Sequence, residues 1–446
     1  MKNKRRMVTN VVSLVLFLWL ASAACAQEQT TNYSGDFWTR STLTGDWGGV
    51  RNDWAKKGVT FDLSLTQIGQ GNVGGGKDVK WEYGGRSDLT LNLDTQKMGL
   101  WPGGFFAVEV EGNFGNGVNS QTGALMPVNT NQLFPLPGGH GVAIPVVTYT
   151  QFFSEHFGVM VGKLPVMAAD DNAFAHGKGD IQFMNTALNV VPLALFTAPY
   201  TPLGAIAIFL PTKNPAEAIV KFAPFTSTGT ADSAGWNTIR GDNVTFWGEG
   251  RVRTGFFGMT GHQLLGGLYS NKDFTSIDQR IILDPTARQI AKKSGSWAVY
   301  YNFDQYLYEP VKGSGKGFGI FGRFSVSDGD PNFLHYFYSI GVDGKGLISG
   351  RPLDEFGIGY YYIDVSNPTF TGPLGGTASF LRNEQGFEAY YNFAITPWMK
   401  LTPDIQIVRP AQKDKLSVSS GPPPVINREK SIDTATVLGL RLQVVF

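Results

Sequence analysis

Glu109 and Glu111 stand two residues apart in a segment, Phe105–Asn113, that alternates apolar and polar side chains. A carboxylate pair is the equipment of glycoside hydrolysis, which needs the two groups on opposite sides of the scissile bond. On an extended strand, positions i and i+2 lie ~7 Å apart on one wall and point the same way. The pair therefore suits polar contact better than bond cleavage. Gly71-Asn72-Val73-Gly74-Gly75-Gly76-Lys77-Asp78 fits the G-x-x-x-x-G-K frame of a phosphate loop. Asp78, however, stands where Ser or Thr would hold the metal, and Trp81-Glu82-Tyr83-Gly84-Gly85 does not continue as a helix. It reads as a flexible hairpin loop. His140, His156, His176, His262 and His335 are scattered, with no H-x-x-x-H pair. They favour neither a metal site nor a nucleophile–His arrangement, so no cofactor is expected.

Charge of both signs remains. Arg86, Asp88 and Asp94 share one face of a strand, and Glu109 and Glu111 share a face of the next. Arg251, Arg253, Arg323 and Arg441 occupy comparable polar positions, and Tyr300, Tyr361 and Tyr390 are aromatic candidates by parity. Guanidinium forks donate and carboxylates accept, which matches the hydroxyls of a neutral sugar. Aromatic faces can cover the apolar C–H face of a sugar ring. The bland alternative is that these charges pair with one another and stiffen a wall.

The elements that must position them are strands. Val59, Phe61, Leu63 and Leu65 share one face, and Thr60, Asp62, Ser64 and Thr66 the other. Leu89, Leu91 and Leu93 oppose Arg86, Asp88, Thr90, Asn92 and Asp94. The same period of two runs through Trp297–Asp304, Phe318–Val326, Phe356–Tyr362, Phe387–Phe393 and Met399–Ile407. Asp328-Gly329-Asp330-Pro331, Asp343-Gly344 and Gly421-Pro422-Pro423-Pro424 read as turns or loops between them. The one convincing helical stretch is Gly49 to Lys57.

Lys2, Lys4, Arg5 and Arg6 precede an apolar run, Val11–Leu20, and Ala24-Cys25-Ala26 follows. This is the plan of a secretory signal peptide cleaved after Ala26, a reading preferred to lipidation at Cys25. Removing residues 1–26 takes four of the 37 Lys+Arg and none of the 36 Asp+Glu, leaving a net charge of −3 and no cysteine. Nucleic-acid binding, disulfide frameworks and thiol chemistry are thereby disfavoured. No later stretch has the ~18 uninterrupted apolar residues of a membrane helix. We expect residues 27–58 to form an N-terminal segment with a short helix, and 59–446 to form one β-domain.

Alternating strands fit a sandwich that buries its apolar faces or a membrane barrel that turns them to lipid. The export signal favours the barrel, as do only 16% charged residues. Aromatics at strand ends, Tyr360-Tyr361-Tyr362, Tyr390-Tyr391 and Trp398, suit interfacial girdles. Leu438, Leu440, Leu442, Val444 and Phe446 form one face of a final strand that ends on an aromatic residue. Such an ending marks bacterial outer-membrane barrels, in which Phe446 would be read by the barrel-assembly machinery.

An ordered set of motifs resembles the carbohydrate-selective porins of the OprB type. It opens with Leu43-Thr44-Gly45-Asp46-Trp47-Gly48-Gly49-Val50-Arg51 and continues with Gly85-Arg86-Ser87-Asp88-Leu89 and Leu100-Trp101-Pro102-Gly103-Gly104. Val161-Gly162-Lys163-Leu164 and Phe183-Met184-Asn185 follow. Then come Gly386-Phe387-Glu388-Ala389-Tyr390-Tyr391-Asn392, Thr396-Pro397-Trp398, Thr402-Pro403-Asp404-Ile405-Gln406 and Val437-Leu438-Gly439-Leu440-Arg441-Leu442. The resemblance implies a 16-stranded antiparallel barrel that passes mono- and small oligosaccharides across the outer membrane of a Gram-negative cell. Pro165 stands where the family often has Asp. The Gly-, Pro- and Asn-rich loop from Val118 to Ile144 is of a kind that folds into or over a pore.

The expected partners are carbohydrate solutes, outer-membrane lipid and lipopolysaccharide, with the chain a monomer or a homo-oligomer. Asp46, Trp47 and Arg51 are expected to be structural, fixing the short helix against the barrel's inner wall. A general or differently selective porin on the same barrel is the alternative. A rim enzyme and a plugged structural barrel are more distant rivals.

Overall fold

The computed structural model describes residues 33–136, 140–239, 241, 243–280, 291–367, 369–371, 377–378, 380–418 and 426–446. The export signal, Cys25 and Gly421–Pro424 lie outside the described residues.

The alternating segments become strands of one closed barrel. In order these are β1 Val59–Gly76, β2 Lys80–Asp94, β3 Gly104–Gly115 and β4 Gly141–Phe152. Next come β5 Phe157–Lys163, β6 Leu203–Phe209, β7 Ala218–Thr226 and β8 Val244–Thr254. The second half holds β9 Gly261–Thr275, β10 Lys292–Tyr308, β11 Gly317–Ser327 and β12 Leu334–Lys345. It closes with β13 Glu355–Val365, β14 Glu384–Thr396, β15 Met399–Arg409 and β16 Asp433–Val445. Each strand pairs antiparallel with its sequence neighbours, and β16 returns to β1 with Ser64 opposite Val445. Closure leaves no unpaired edge, the condition for crossing lipid with strands.

Parity sorts the side chains. On β16, Leu440 is 48% exposed on the outside while Arg441 is 1% exposed inside. Leu63, Leu89, Ile358, Phe387 and Ile405 also look outward, building the apolar belt that acyl chains cover. Tyr336, Tyr338, Tyr360 and Tyr362 stack on that face near the ends of β12 and β13, with Tyr338 and Tyr362 ring centres 5.3 Å apart. Trp398 does not join such a girdle. It is 4% exposed, meets the Phe37 ring edge to face and donates its Nε1–H to the Phe37 carbonyl.

Connections alternate between short turns, such as 153–156 and 397–398, and longer links, such as 116–140, 164–202 and 410–432. Outer-membrane barrels keep short turns in the periplasm and longer loops outside. By that rule residues 33–58 and Phe446 lie at the periplasmic end. The expected turn at Asp343-Gly344 is instead strand. Asp343 is an inward polar residue of β12, and the outward Gly344 makes room for the Phe356 ring. Likewise Gly71–Gly76 completes β1, and only 77–79 form the turn.

The predicted helix is α1, Val50–Lys56. Its aromatic neighbours meet the outer face of β1 and not the inner wall, because Phe61 points to lipid. Trp47 and Trp54 lie 5.1 and 5.9 Å from the Phe61 ring. Gly58, at φ 86°, turns the chain from α1 into β1 where a Cβ would fall 2.6 Å from the Asp94 carbonyl.

Candidate functional site

The inner face is polar around most of its circumference, with an apolar side on β7–β12 interleaved with inward Lys221, Glu249, Arg251, Asp304 and Arg323. Inward positions of β14–β16 and β1–β3 are Glu388, Asp404, Arg441, Thr66, Arg86 and Glu111. Those of β7–β12 include Ala223, Trp247, Leu264, Leu268, Phe321 and Phe337. The apolar side seats a segment, residues 164–202, that folds into the lumen. Its Phe183, Leu188, Val191 and Leu193 are at most 1% exposed and join Phe321, Phe337 and Tyr390 in one cluster. Asn185 caps the turn Thr186–Asn189 by accepting from the Ala187 N–H, and Pro192 starts the helical turn Pro192–Thr197. The sequence reading expected one pore-folding loop, 118–144. The described part of 116–136 does pack inside, but Ile144 belongs to β4, and 164–202 is the larger inward segment.

Wall residues grip the segment's backbone. Arg323 donates from Nε to Asp170 Oδ2 at 2.7 Å and from its terminal nitrogens to the carbonyls of Leu188 and Ala175. Arg441 donates to the carbonyls of Gly179 and Gln182 at 2.7 and 2.8 Å. Glu388 accepts the N–H groups of Met184 and Asn185. Glu384 accepts those of Leu125, Met126 and Ala411, so it holds the other inner segment. A buried carboxylate satisfied by several backbone donors is a strong, directional anchor. Arg323 thus spends its donors on Asp170 and carbonyls, Arg441 gives Nη1 to two carbonyls, and both present almost no surface to a solute.

Where the segment crosses beside β2 and β3, charge remains accessible. Arg86 donates from Nε to Asp88 Oδ1 at 2.8 Å and from Nη2 to Asp180 Oδ2 at 2.5 Å. Lys178 Nζ donates to Glu109 Oε1 at 2.8 Å and to Glu111 Oε1 at 2.9 Å. Tyr200 OH donates to Glu111 at 2.7 Å. Burial alone would lower the Lys178 pKa, but the adjacent Glu109 and Glu111 carboxylates hold it well above the usual lysine value. Asp88, Glu109, Lys178 and Asp180 keep 13, 17, 19 and 17% of their side-chain surface, whereas Arg86 and Glu111, expected to line the pore, are buried at 1 and 0%, like Arg323. Oxygens of Asp88, Glu109 and Glu111 approach within 4.8 Å of one another, the spacing of a cation site. The Lys178 ammonium already lies against two of the three.

The other sequence candidates sit elsewhere. Asp94 caps the β2–β3 turn, accepting from the N–H groups of Gln96 and Lys97. Arg251 pairs with Asp171 of the inner segment at 3.1 Å. Arg253 pairs with Glu217 at 2.7 Å near the periplasmic rim. Tyr300, Tyr361 and Tyr390 do point inward, but their hydroxyls donate to Glu249, Glu384 and Asp343. At the barrel's lower end, Asp46 accepts from the Ser34 hydroxyl. Arg51 donates to the Phe61 and Phe446 carbonyls and to Asp62, with its guanidinium 3.9 Å from the Tyr33 ring centre. Sequence reasoning missed Lys178, Asp180, Tyr200, Glu384 and Glu388. Parity along β14 could have found the two glutamates. The other three lie on a segment with no period to read.

The family model described as "Carbohydrate-selective porin, OprB family" matches residues 80–446. Porin B of Pseudomonas aeruginosa is 22% identical over 477 residues, an alignment covering 96% of this chain and 95% of that one. A putative porin, QuiX, of Acinetobacter baylyi is 34% identical over 103 residues, 22% of this chain. Among solved structures, Pseudomonas putida OprB at high pH superposes with a TM-score of 0.75 at 20% identity, covering 92% of this chain and all of that one.

Proposed function

The chain belongs to the OprB family of carbohydrate-selective porins, and from that premise we propose that its solute is read by the charged constriction between β2–β3 and the tip of the inner segment. The protein is an outer-membrane β-barrel that passes carbohydrates. Family membership makes it a channel rather than an enzyme.

One observation carries the finer reading. Partly exposed donors and acceptors of both signs (Lys178, Glu109, Asp88 and Asp180, with Arg86 buried behind) converge where the inner segment crosses beside β2 and β3. A sugar hydroxyl donates to a carboxylate and accepts from an ammonium or guanidinium. Each hydration bond lost on entry is replaced by one to the wall. Contacts stay weak because every charged group already has a protein partner, and a channel that binds tightly does not conduct. Arg323, Arg441 and the three tyrosines then serve to hold the segment. Residues 1–26 act in this account as a cleaved export signal. Phe446 acts as the assembly signal, in keeping with its placement beside β1, where its N–H donates to the Leu63 carbonyl. The reading holds for a monomer or for each barrel of a homo-oligomer.

The test is single-channel current in planar bilayers titrated with glucose and small oligosaccharides. Sugar should reduce ion current at millimolar or lower concentration. A conducting channel that no neutral sugar blocks would overturn the reading in favour of a general porin.

A further inference from the structure

Lys178 sits at a tip built for it. Gly177, Lys178 and Gly179 all have positive φ, at 99°, 54° and 81°. Glycine adopts this region freely and lysine does not. The tip is held from behind, because Arg441 takes the Gly179 carbonyl at 2.7 Å. The result carries one ammonium across the lumen to the β3 wall. Six charged groups meet there: the carboxylates of Asp88, Glu109, Glu111 and Asp180, and the cations of Arg86 and Lys178. Arg86 is committed to Asp88 and Asp180, so Lys178 is the counter-ion of Glu109 and Glu111. An ammonium has three donors. Two go to these carboxylates, and the side chain keeps 19% of its surface, enough for a passing hydroxyl to meet the third.

An acidic patch in a narrow, low-dielectric throat focuses field lines and concentrates mobile cations. Those ions would compete with a neutral solute for the same carboxylate oxygens. A tethered ammonium removes that competition, because it never diffuses away. We propose that Lys178 is the channel's charge filter: a built-in counter-ion that keeps inorganic cations from accumulating at Glu109 and Glu111 and so leaves the constriction to uncharged, hydroxyl-rich solutes. The inference rests on the constriction being the solute path.

Reversal potentials across planar bilayers in asymmetric KCl test it. K178M should raise the potassium-to-chloride permeability ratio at least threefold over wild type. K178R should stay near wild type, since the charge is kept. The double variant E109Q/K178M should return toward wild type, a compensation that a merely structural role would not produce. E109Q alone should move the ratio the other way, so the filter remains testable if K178M assembles poorly. An unchanged reversal potential in conducting K178M, or in E109Q where K178M gives no channels, would overturn the proposal. Undiminished sugar block in K178M channels that show the expected shift would instead count against the sugar reading of the site and leave the filter standing.

Discussion

Arg86 on β2 and Asp180 on the inner segment, 94 residues apart in sequence, meet through Nη2 and Oδ2 at 2.5 Å. The contact fastens the tip of the segment to the β2 wall. Asp180 also accepts from Asn131 of the other inner segment, so three separate parts of the chain converge on one carboxylate.

Arg86 itself is 0% exposed, so Arg86→Ala acts through Asp88 and Asp180, which it holds in place, and should weaken sugar block about tenfold. Arg86→Lys should recover little, because one ammonium lacks the fork that spans Asp88 and Asp180. Block measured per inserted channel separates this from folding. Normal block in Arg86→Ala channels, at whatever yield, would make Arg86 a wall residue only.

Glu388→Ala should loosen the constriction rather than abolish the barrel. The change orphans the N–H groups of Met184 and Asn185 inside the lumen, at about 1–3 kcal/mol each. Single-channel recordings should show noisier and larger currents, with the strand content by circular dichroism unchanged. Wild-type conductance and noise would contradict the anchoring role.

Protonation of His176 should loosen the inner segment, against the opposite pull of Asp170, whose carboxyl is pushed up to about 7 by burial. Burial pushes the His176 imidazole down to about 4, with Asp171 opposing the shift and Arg323 and Lys178 adding to it. A released histidine takes its proton near pH 6.5. Between those values the released state binds a proton that the seated state refuses, so the histidine weakens the seat as pH falls from about 6.5 toward 4. Backbone hydrogen exchange over residues 170–185, corrected for intrinsic rates, should show opening that rises more from pH 7.5 to pH 5 in the wild type than in His176→Gln. An identical pH dependence in the two proteins would contradict it.

Arg51→Ala should weaken the barrel seam. Its guanidinium links the Thr42 hydroxyl, Asp62 on β1 and the Phe446 carbonyl while 2% exposed. Asp62 keeps 42% of its side-chain surface, so the lost pair costs at most about 1 kcal/mol, and the lost hydrogen bonds to the Phe61 and Phe446 carbonyls about 1 kcal/mol each. The folded, fast-migrating form on unboiled SDS gels should be lost at a lower temperature than in the wild type. An unchanged transition would show that the N-terminal segment is not a clasp.

The barrel was legible because lipid on one side and polar groups on the other impose a period of two. Leu440 and Arg441 illustrate it within one dipeptide. The inner segments were not legible, since nothing periodic marks 164–202. Its polar backbone is satisfied by Arg323, Glu388 and Arg441, up to 262 residues away. Parity showed that Arg323 and Arg441 point inward. Whether an inward arginine meets solute or carbonyl depends on what else fills the lumen, and strand patterning carries no record of that. Asp343-Gly344 misled for a related reason: an inward acid followed by an outward glycine has the composition of a turn.

Liposome swelling with purified protein tests the central claim most directly. Glucose should enter markedly faster than a size-matched cationic amino sugar. Equal rates for the two would contradict selective passage of neutral carbohydrates, and no swelling with either would contradict an open channel.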